Sequence, residues 1–160
     1  MPIQLVRVDH RLVHGQVTMG WSRTVGAEVL LVVNDRAAGD PFEANLMQLA
    51  VPSEMRLELW TLERALAAAA GDAWPQERTL LLVANPLDLL RLVEAGLALE
   101  EVNIGGVRSP GAERKLTKEV FATDEEIAAW RAMDERGMRL SVQWLPAQRR
   151  KLLNDVLAKA

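Results

Sequence analysis

The stretch "EVLLVVND", residues 28–35, decides the fold class, because its five central residues are all Val or Leu. A strand that is apolar at every position, rather than at every second one, is typical of a parallel sheet that is covered on both faces. A second run of this kind, "RTLLLVAN", spans residues 78–85. Two such strands in one chain predict an α/β architecture around a buried sheet.

Further strand-like runs alternate with helical patterns along the whole chain. We expect strands at 3–8, 28–35, 55–60, 78–85, 99–106 and 138–144, with a weaker edge strand at 113–121. We expect helices at 15–26, 40–50, 61–70, 86–96, 124–137 and 146–159. Asp40 before Pro41 marks one helix start, and Thr123 with Glu126 forms a capping box at another. These patterns predict one domain, residues 1–160, with a mostly parallel central sheet and helices on both faces in three α/β/α layers.

The composition excludes several classes of protein. A chain of 160 residues that is 49% hydrophobic can bury one sizeable core, and its formal net charge of −3 gives no support for a nucleic-acid partner. Without cysteine, the chain has no disulfides and no thiolate metal ligands. Its first ten residues lack an apolar signal core, and no apolar run approaches the roughly 20 residues that span a bilayer. We therefore predict a cytoplasmic protein.

Both histidines lie in the stretch "RVDHRLVHGQV", residues 7–17, which leaves the first predicted strand. Ligands and reactive groups gather at the carboxyl ends of strands in parallel sheets. His10 and His14 have the spacing of a helical metal site, but the chain offers no third histidine or cysteine, and Arg7 and Arg11 would repel a cation. We predict no metal and no cofactor.

A phosphoryl-accepting role suits His14 better than a metal site or a purely structural role. Gly15 removes a side chain that would crowd an approaching group, and the start of the predicted helix favours an anion. The guanidinium group of Arg11 can bind phosphate oxygens, and these positive groups disfavour the imidazolium form of a histidine that must attack as a neutral ring. Asp9 could orient the other ring nitrogen or shape a turn. His10 has no assigned task and fits a structural role.

The stretch "RVDHRLVHGQV" resembles the active-site signature of the enzyme IIB component of the mannose/fructose/sorbose family of bacterial phosphoenolpyruvate:sugar phosphotransferase systems. The likeness continues in order through "LLVVNDRAAGDPF", "LLLVANPLDLLRLVEAG" and "VNIGGVRSPGAERKLTKEV", and it covers about residues 1–150. It implies a protein that takes a phosphoryl group from a phosphohistidine of a IIA partner. Such a protein passes the group to a sugar that enters through membrane components IIC and IID.

The resemblance also assigns roles to individual residues. His14 corresponds to the phosphorylated residue, Arg11 to its phosphate-binding partner, and Asp9 to the aspartate of the motif. At the position of His10 the family commonly has Asp or Asn, so this residue departs from the pattern. The rim of the site is expected to include Gly15, Gln16, Asp35, Gly105, Gly106 and Arg108.

Several alternatives stay open at this stage. A regulatory protein of the same fold could be phosphorylated on His14 without taking part in transport, and a non-catalytic module could bind a sugar phosphate or a nucleotide. The residues do not identify the sugar, the phosphorylated ring nitrogen, a homodimer or a peripheral position at the membrane through IIC and IID. The five tryptophans are expected in the core or at an interface, and "QRRK", residues 148–151, on a solvated helix face with docking to an acidic IIA surface as an alternative.

Overall fold

The structure is a computed structural model that describes residues 2–159, with only the backbone of Gln16. Within this range the strands are β1 Ile3–Val8, β2 Val29–Val33, β3 Arg56–Trp60, β4 Thr79–Val83, β5 Glu101–Ile104, β6 Arg114–Lys115, β7 Phe121–Ala122, β8 Arg139–Val142 and β9 Lys151–Leu152. The helices are α1 Gly15–Val25, α2 Asp35–Gly39, α3 Pro41–Ala50, α4 Leu62–Gly71, α5 Pro86–Ala95, α6 Asp124–Glu135 and α7 Leu153–Lys159. No helix in the described range is long and apolar enough to cross a membrane.

Seven strands form one sheet in the order β3-β2-β4-β1-β5-β8-β9, and its neighbouring strands are parallel except for the antiparallel pair β8 and β9. Alternate residues of β2 enter two separate cores. Val29, Leu31 and Val33 pack in a core with α4, α5, α6 and α7, whereas Leu30 and Val32 pack in a core with α1, α2 and α3. The predicted fold class, a mostly parallel sheet with helices on both faces, is confirmed.

Two helix starts form as their sequence signals predict. The side chain of Asp40 accepts hydrogen bonds from the backbone N–H groups of Phe42 and Glu43 at the start of α3. Thr123 and Glu126 form a reciprocal capping box at the start of α6. Both caps satisfy N–H groups that would otherwise have no partner within the helix.

The predicted terminal helix over 146–159 is wrong in its first half. Nε2 of Gln143 donates to the backbone oxygens of Pro146 and Gln148, at 3.0 and 2.8 Å, and this holds the chain there as a loop. The chain then pairs with the outer edge of β8 as β9, and α7 begins only at Leu153. The stretch 148–151 is therefore not a helix face. The predicted edge strand 113–121 is also corrected, to a two-stranded hairpin of β6 and β7.

The neighbouring strands β1 and β5 lead to opposite faces of the sheet. The chain leaves β1 for α1, which packs in one core, and leaves β5 for the hairpin and α6, which packs in the other. A crevice opens at the carboxyl ends of two strands whose connections diverge in this way, and ligands of parallel sheets bind in such crevices. We therefore expect a functional site at the carboxyl ends of β1 and β5.

Gly105 follows β5 in this crevice, and its lack of a side chain is a packing requirement. A Cβ atom at this position would overlap Nη2 of Arg7 and Oδ2 of Asp9. Both of those side chains are buried, with exposed fractions of 1% and 0%. They have no free space into which to move, because protein interiors are close-packed.

We predict that Gly105→Ala destabilises the protein by roughly 1–3 kcal/mol or more, because the added methyl group must displace a buried ion pair. Gly71→Ala is the matched control, since nothing lies within 4 Å of a Cβ at that position in α4. Alanine there should leave the free energy of unfolding unchanged or raise it slightly. Urea unfolding followed by circular dichroism measures both variants. Equal stabilities for the two would contradict the packing role of Gly105.

Candidate active site

Asp9, the first residue after β1, binds His14 directly. Oδ2 of Asp9 accepts a hydrogen bond from Nε2 of His14 at 2.9 Å, and Oδ1 accepts one from the backbone N–H of Arg11 at 3.1 Å. An ionised carboxylate can only accept, so Nε2 of His14 carries the proton in this pair. The neutral ring then has its lone pair on Nδ1, which is the nitrogen available to attack an electrophile.

Arg7 holds the carboxylate of Asp9 from behind. Nη2 of Arg7 lies 3.3 Å from Oδ2 of Asp9, and the same guanidinium group donates to the side chain of Asn103 on β5. It also donates to the backbone oxygens of Gln143 at 3.0 Å and Trp144 at 3.2 Å, just after β8. One buried cation therefore connects the ends of β1, β5 and β8.

The buried pair remains charged at neutral pH. Burial raises the pKa of Asp9, but the hydrogen bond from His14, the hydrogen bond from the Arg11 N–H and the charge of Arg7 outweigh it, so this pKa lies below its ordinary 3.8. Burial lowers the pKa of Arg7 to about 10, against the opposing effect of Asp9. The carboxylate is thus ionised beside His14, where it fixes the ring orientation and favours any positive charge that develops on the ring.

His14 occupies the N-cap position of α1, and its ring is not used for capping. Its backbone N–H instead donates to Oγ1 of Thr18 at 3.0 Å, and its side chain is 17% exposed. Gly15 has φ +57°, and nothing lies within 4 Å of a Cβ there. Glycine is therefore needed for the left-handed backbone, and the space beside it is open. The start of α1 leaves N–H groups beside the ring that suit an anion.

Arg11 stacks on Trp144 next to His14. Cζ of Arg11 lies 4.4 Å from the centre of the Trp144 ring, and the ring centroids of Trp144 and His14 are 5.9 Å apart. Nε of Arg11 is 3.9 Å from Oδ1 of Asp9, and the side chain is 42% exposed. The guanidinium group is thus supported by an aromatic ring while part of it faces solvent, where it can bind an incoming phosphoryl group.

The structure separates the two histidines. Nδ1 of His10 donates to the backbone oxygen of Gly106 at 2.7 Å, and the backbone N–H of His10 donates to the same oxygen at 2.9 Å. His14 has Asp9 as its partner, so the two rings are held by different groups. This arrangement does not support the interpretation of His10 and His14 as a metal-binding pair.

Three of the predicted rim residues lie beside the site, and the side chain of a fourth is not described. Gly105 packs against Asp9, and Gly106 lies against His10 and Trp144. Arg108 stacks on Phe121, with Cζ 4.2 Å from the ring centre, and lines a cleft together with His10 and Trp144. The side chain of Gln16 lies outside the described part of the chain.

Asp35, a further predicted rim residue, makes its contact at the start of α4. Its Oδ1 accepts a hydrogen bond from the backbone N–H of Leu62 at 2.8 Å, at the start of α4. In the sheet, β4 lies between β1 and the strand that precedes Asp35. The carboxylate therefore helps to hold the start of α4, and none of the described hydrogen bonds or ion pairs of the site joins it to Asp9, Arg11 or His14, so its place at the rim stays a prediction.

Sequence patterns did not identify two residues of the site, Arg7 and Trp144. Arg7 is a charged residue inside a strand of a sheet buried on both faces, and its i,i+2 spacing places it on the same side as Asp9, which was a usable signal for a buried ion pair. Trp144 gave no local signal, because it meets Arg11 only in the folded chain. The other tryptophans, Trp21, Trp60, Trp74 and Trp130, are buried as expected.

The arrangement suits nucleophilic acceptance of a phosphoryl group. It combines a ring nitrogen with a free lone pair, a carboxylate that holds the opposite nitrogen, a guanidinium group and the start of a helix. These are the groups needed to orient a histidine nucleophile and to stabilise the charge of transferring oxygens.

Comparisons with known proteins agree on one family. Residues 3–160 match the family model described as PTS system sorbose subfamily IIB component. The sorbose-specific EIIB component of Klebsiella pneumoniae is 34% identical over 143 residues, which are 89% of this chain and 87% of that protein. The mannose-specific EIIAB component of Escherichia coli (strain K12) is 28% identical over 159 residues, which are 99% of this chain and 49% of that protein.

The fold agrees with the sequence comparison. The crystal structure of the IIBSor domain of the sorbose permease from Klebsiella pneumoniae superimposes with a TM-score of 0.89 at 31% identity, and the match covers 100% of this chain and 98% of that chain. The resemblance stated from the active-site stretch is thereby confirmed. The chain belongs to the sorbose subfamily of the IIB components, the phosphotransfer components of sugar phosphotransferase systems.

Proposed function

We propose that His14 is the residue that carries the phosphoryl group, and that it carries the group on Nδ1. The hydrogen bond from Nε2 of His14 to the buried Asp9 is the observation that supports this assignment, because it leaves Nδ1 as the nucleophilic nitrogen. The Asp9 carboxylate cannot rotate away, since Arg7 and the Arg11 N–H hold its two oxygens. Asp9 and Arg7 are positioning residues in this proposal, and Arg11 binds phosphate.

The transfer needs no proton movement at the attacking nitrogen. The Nδ1 lone pair of His14 forms the new P–N bond while the P–N bond to the donor histidine breaks, and the donor nitrogen keeps that electron pair. The His14 ring becomes positively charged with its Nε2 proton still bound to Asp9, whose negative charge stabilises it. Arg11 and the N–H groups at the start of α1 bind the phosphoryl oxygens. In the onward step the oxygen of a sugar hydroxyl forms the new P–O bond, the P–N bond breaks with its electron pair returning to Nδ1 of His14, and the hydroxyl proton is released to water.

The donor in this proposal is a phosphohistidine of a IIA protein, and the acceptor is a sugar handled by membrane components of the system. The EIIAB name of the Escherichia coli relative supports a IIA donor, and this chain matches about half of that protein. The names of the relatives refer to different sugars, sorbose and mannose. No sugar is therefore assigned to this chain.

We predict that His14→Ala abolishes acid-labile labelling from phosphoenolpyruvate through the upstream relay and a IIA protein, because the nucleophile is removed. His10→Asn is the matched control, since its ring is held by Gly106 rather than by the Asp9 group. That variant should label to the wild-type extent. Labelling of His14→Ala at the wild-type level, or an unlabelled wild-type protein, would refute the assignment.

We predict that Asp9→Asn slows phosphorylation of His14 by about 10²- to 10⁴-fold, because a neutral amide neither fixes the Nε2–H tautomer nor stabilises the charged ring. Rapid-quench labelling measures the rate, at a temperature where near-UV circular dichroism shows both proteins folded. The ¹⁵N shifts of the His14 ring should report the Nε2–H tautomer in the wild type and a mixture in the variant. A rate within about threefold of wild type would contradict the positioning role.

A further inference from the structure

A cleft of about 690 Å³ adjoins the His14 site and is not used by the transfer chemistry. Four separate parts of the chain surround it: the loops after β1 and β5, the β6–β7 hairpin, and the segment after β8. Its lining comprises His10, Gly106, Arg108, Lys118, Glu119, Phe121, Trp144, Gln148, Arg149 and Lys151. Asp9, Arg11 and His14 are not part of this lining.

The cleft carries a strong excess of positive charge. Arg108, Lys118, Arg149 and Lys151 face it, and Glu119 is the one carboxylate among the described lining residues. The Glu119 carboxylate is only 18% exposed and lies 3.6 Å from Nζ of Lys151, so it offsets the charge of one of these cations. The protein as a whole has a net charge of −3, so this concentration of cations is local.

Two of the polar groups in the cleft are already oriented. The stacking of Arg108 on Phe121 holds its guanidinium group, whose planar fork matches phosphate oxygens. The hydrogen bond from Nδ1 of His10 to Gly106 leaves Nε2 as the ring nitrogen that a ligand can meet. Groups that are fixed before binding lose less conformational entropy when a ligand arrives.

We propose that this cleft is a binding site for a phosphomonoester of about monosaccharide size, such as a sugar phosphate. Its volume lies within the range of roughly 300–1,000 Å³ that is usual for small-molecule sites. The cations converge on one concave space from several segments, which suits a compact dianion better than the flat acidic surface of a protein. Phe121 and Trp144 supply apolar walls for the body of the ligand. The proposal depends on the cleft alone and does not require His14 to be phosphorylated.

The test is a titration of the ¹⁵N-labelled full chain at constant ionic strength with glucose 6-phosphate, inorganic phosphate and glucose. Glucose 6-phosphate should shift the His10 ring and the Trp144 indole signals, inorganic phosphate should bind the same residues more weakly, and glucose should leave them unchanged. His14→Ala should bind glucose 6-phosphate as well as the wild type does, so this outcome is separate from that of the labelling experiment.

Lys118→Ala/Arg149→Ala should weaken glucose 6-phosphate binding at least about tenfold, because two charge-assisted contacts are lost. Arg136→Ala/Lys159→Ala is the matched control, since it removes the same charge from exposed residues that do not line the cleft. Equal weakening in both double variants, or an absence of shifts in tens of millimolar ligand, would overturn the proposal. The proposal would also be overturned if Lys118→Ala/Arg149→Ala bound glucose 6-phosphate as the wild type does but had a raised KM for the IIA donor. That result would identify the cleft as a protein-docking surface instead.

Discussion

The buried ion pair of Arg7 and Asp9 is the interaction on which the rest of the site depends. Arg7 is 1% exposed and Asp9 0%, so both charges are desolvated and each requires the other. Removing one member of such a pair costs about 3–5 kcal/mol, whereas an apolar pair of similar shape would often be equally stable. Stability alone therefore does not explain why these two buried positions carry charged residues. We infer that the pair serves to orient the groups around it.

Only a few hydrogen bonds connect this pair to the reacting ring of His14. Arg7 binds Asn103 and the backbone oxygens of residues 143 and 144, so the ends of three strands share one guanidinium group. Asp9 in turn holds Nε2 of His14. The ring is thus anchored through a single carboxylate to the ends of three neighbouring strands, and the geometry of a nucleophile is best maintained by such supports.

Local sequence signals predicted much of this structure. Contacts between residues that are far apart in the chain determine the remainder. The continuous apolar runs identified the parallel sheet, and Asp40 and Thr123 marked helix starts, because each signal acts within a few residues. The wrong helix over 146–159 had a suitable pattern, but the side chain of Gln143 and the open edge of β8 stabilise a loop and a strand there. Tertiary contacts of this kind override local propensity.

The residues of the site also divide into those that local sequence identifies and those that only the fold brings together. His14, Arg11 and Asp9 occupy one short stretch, and their chemistry and resemblance to a family motif could be recognised there. Trp144 lies 133 residues beyond Arg11 in the chain, and Gly105 meets Asp9 only because β1 and β5 are neighbours. Asp35 follows a parallel strand in the expected way, yet β4 separates its strand from β1. Strand order, which periodicity does not contain, decides which loop residues meet.

The central claim is that Asp9 selects Nδ1 of His14 as the phosphorylated atom. The most direct measurement is the one-bond ³¹P–¹⁵N coupling in protein that contains ¹⁵N-labelled histidine and has been phosphorylated by the upstream relay. We expect the phosphorus to couple to Nδ1 of His14, while Nε2 keeps the proton that it donates to Asp9. Coupling to Nε2 of His14, or to a nitrogen of His10, would contradict it.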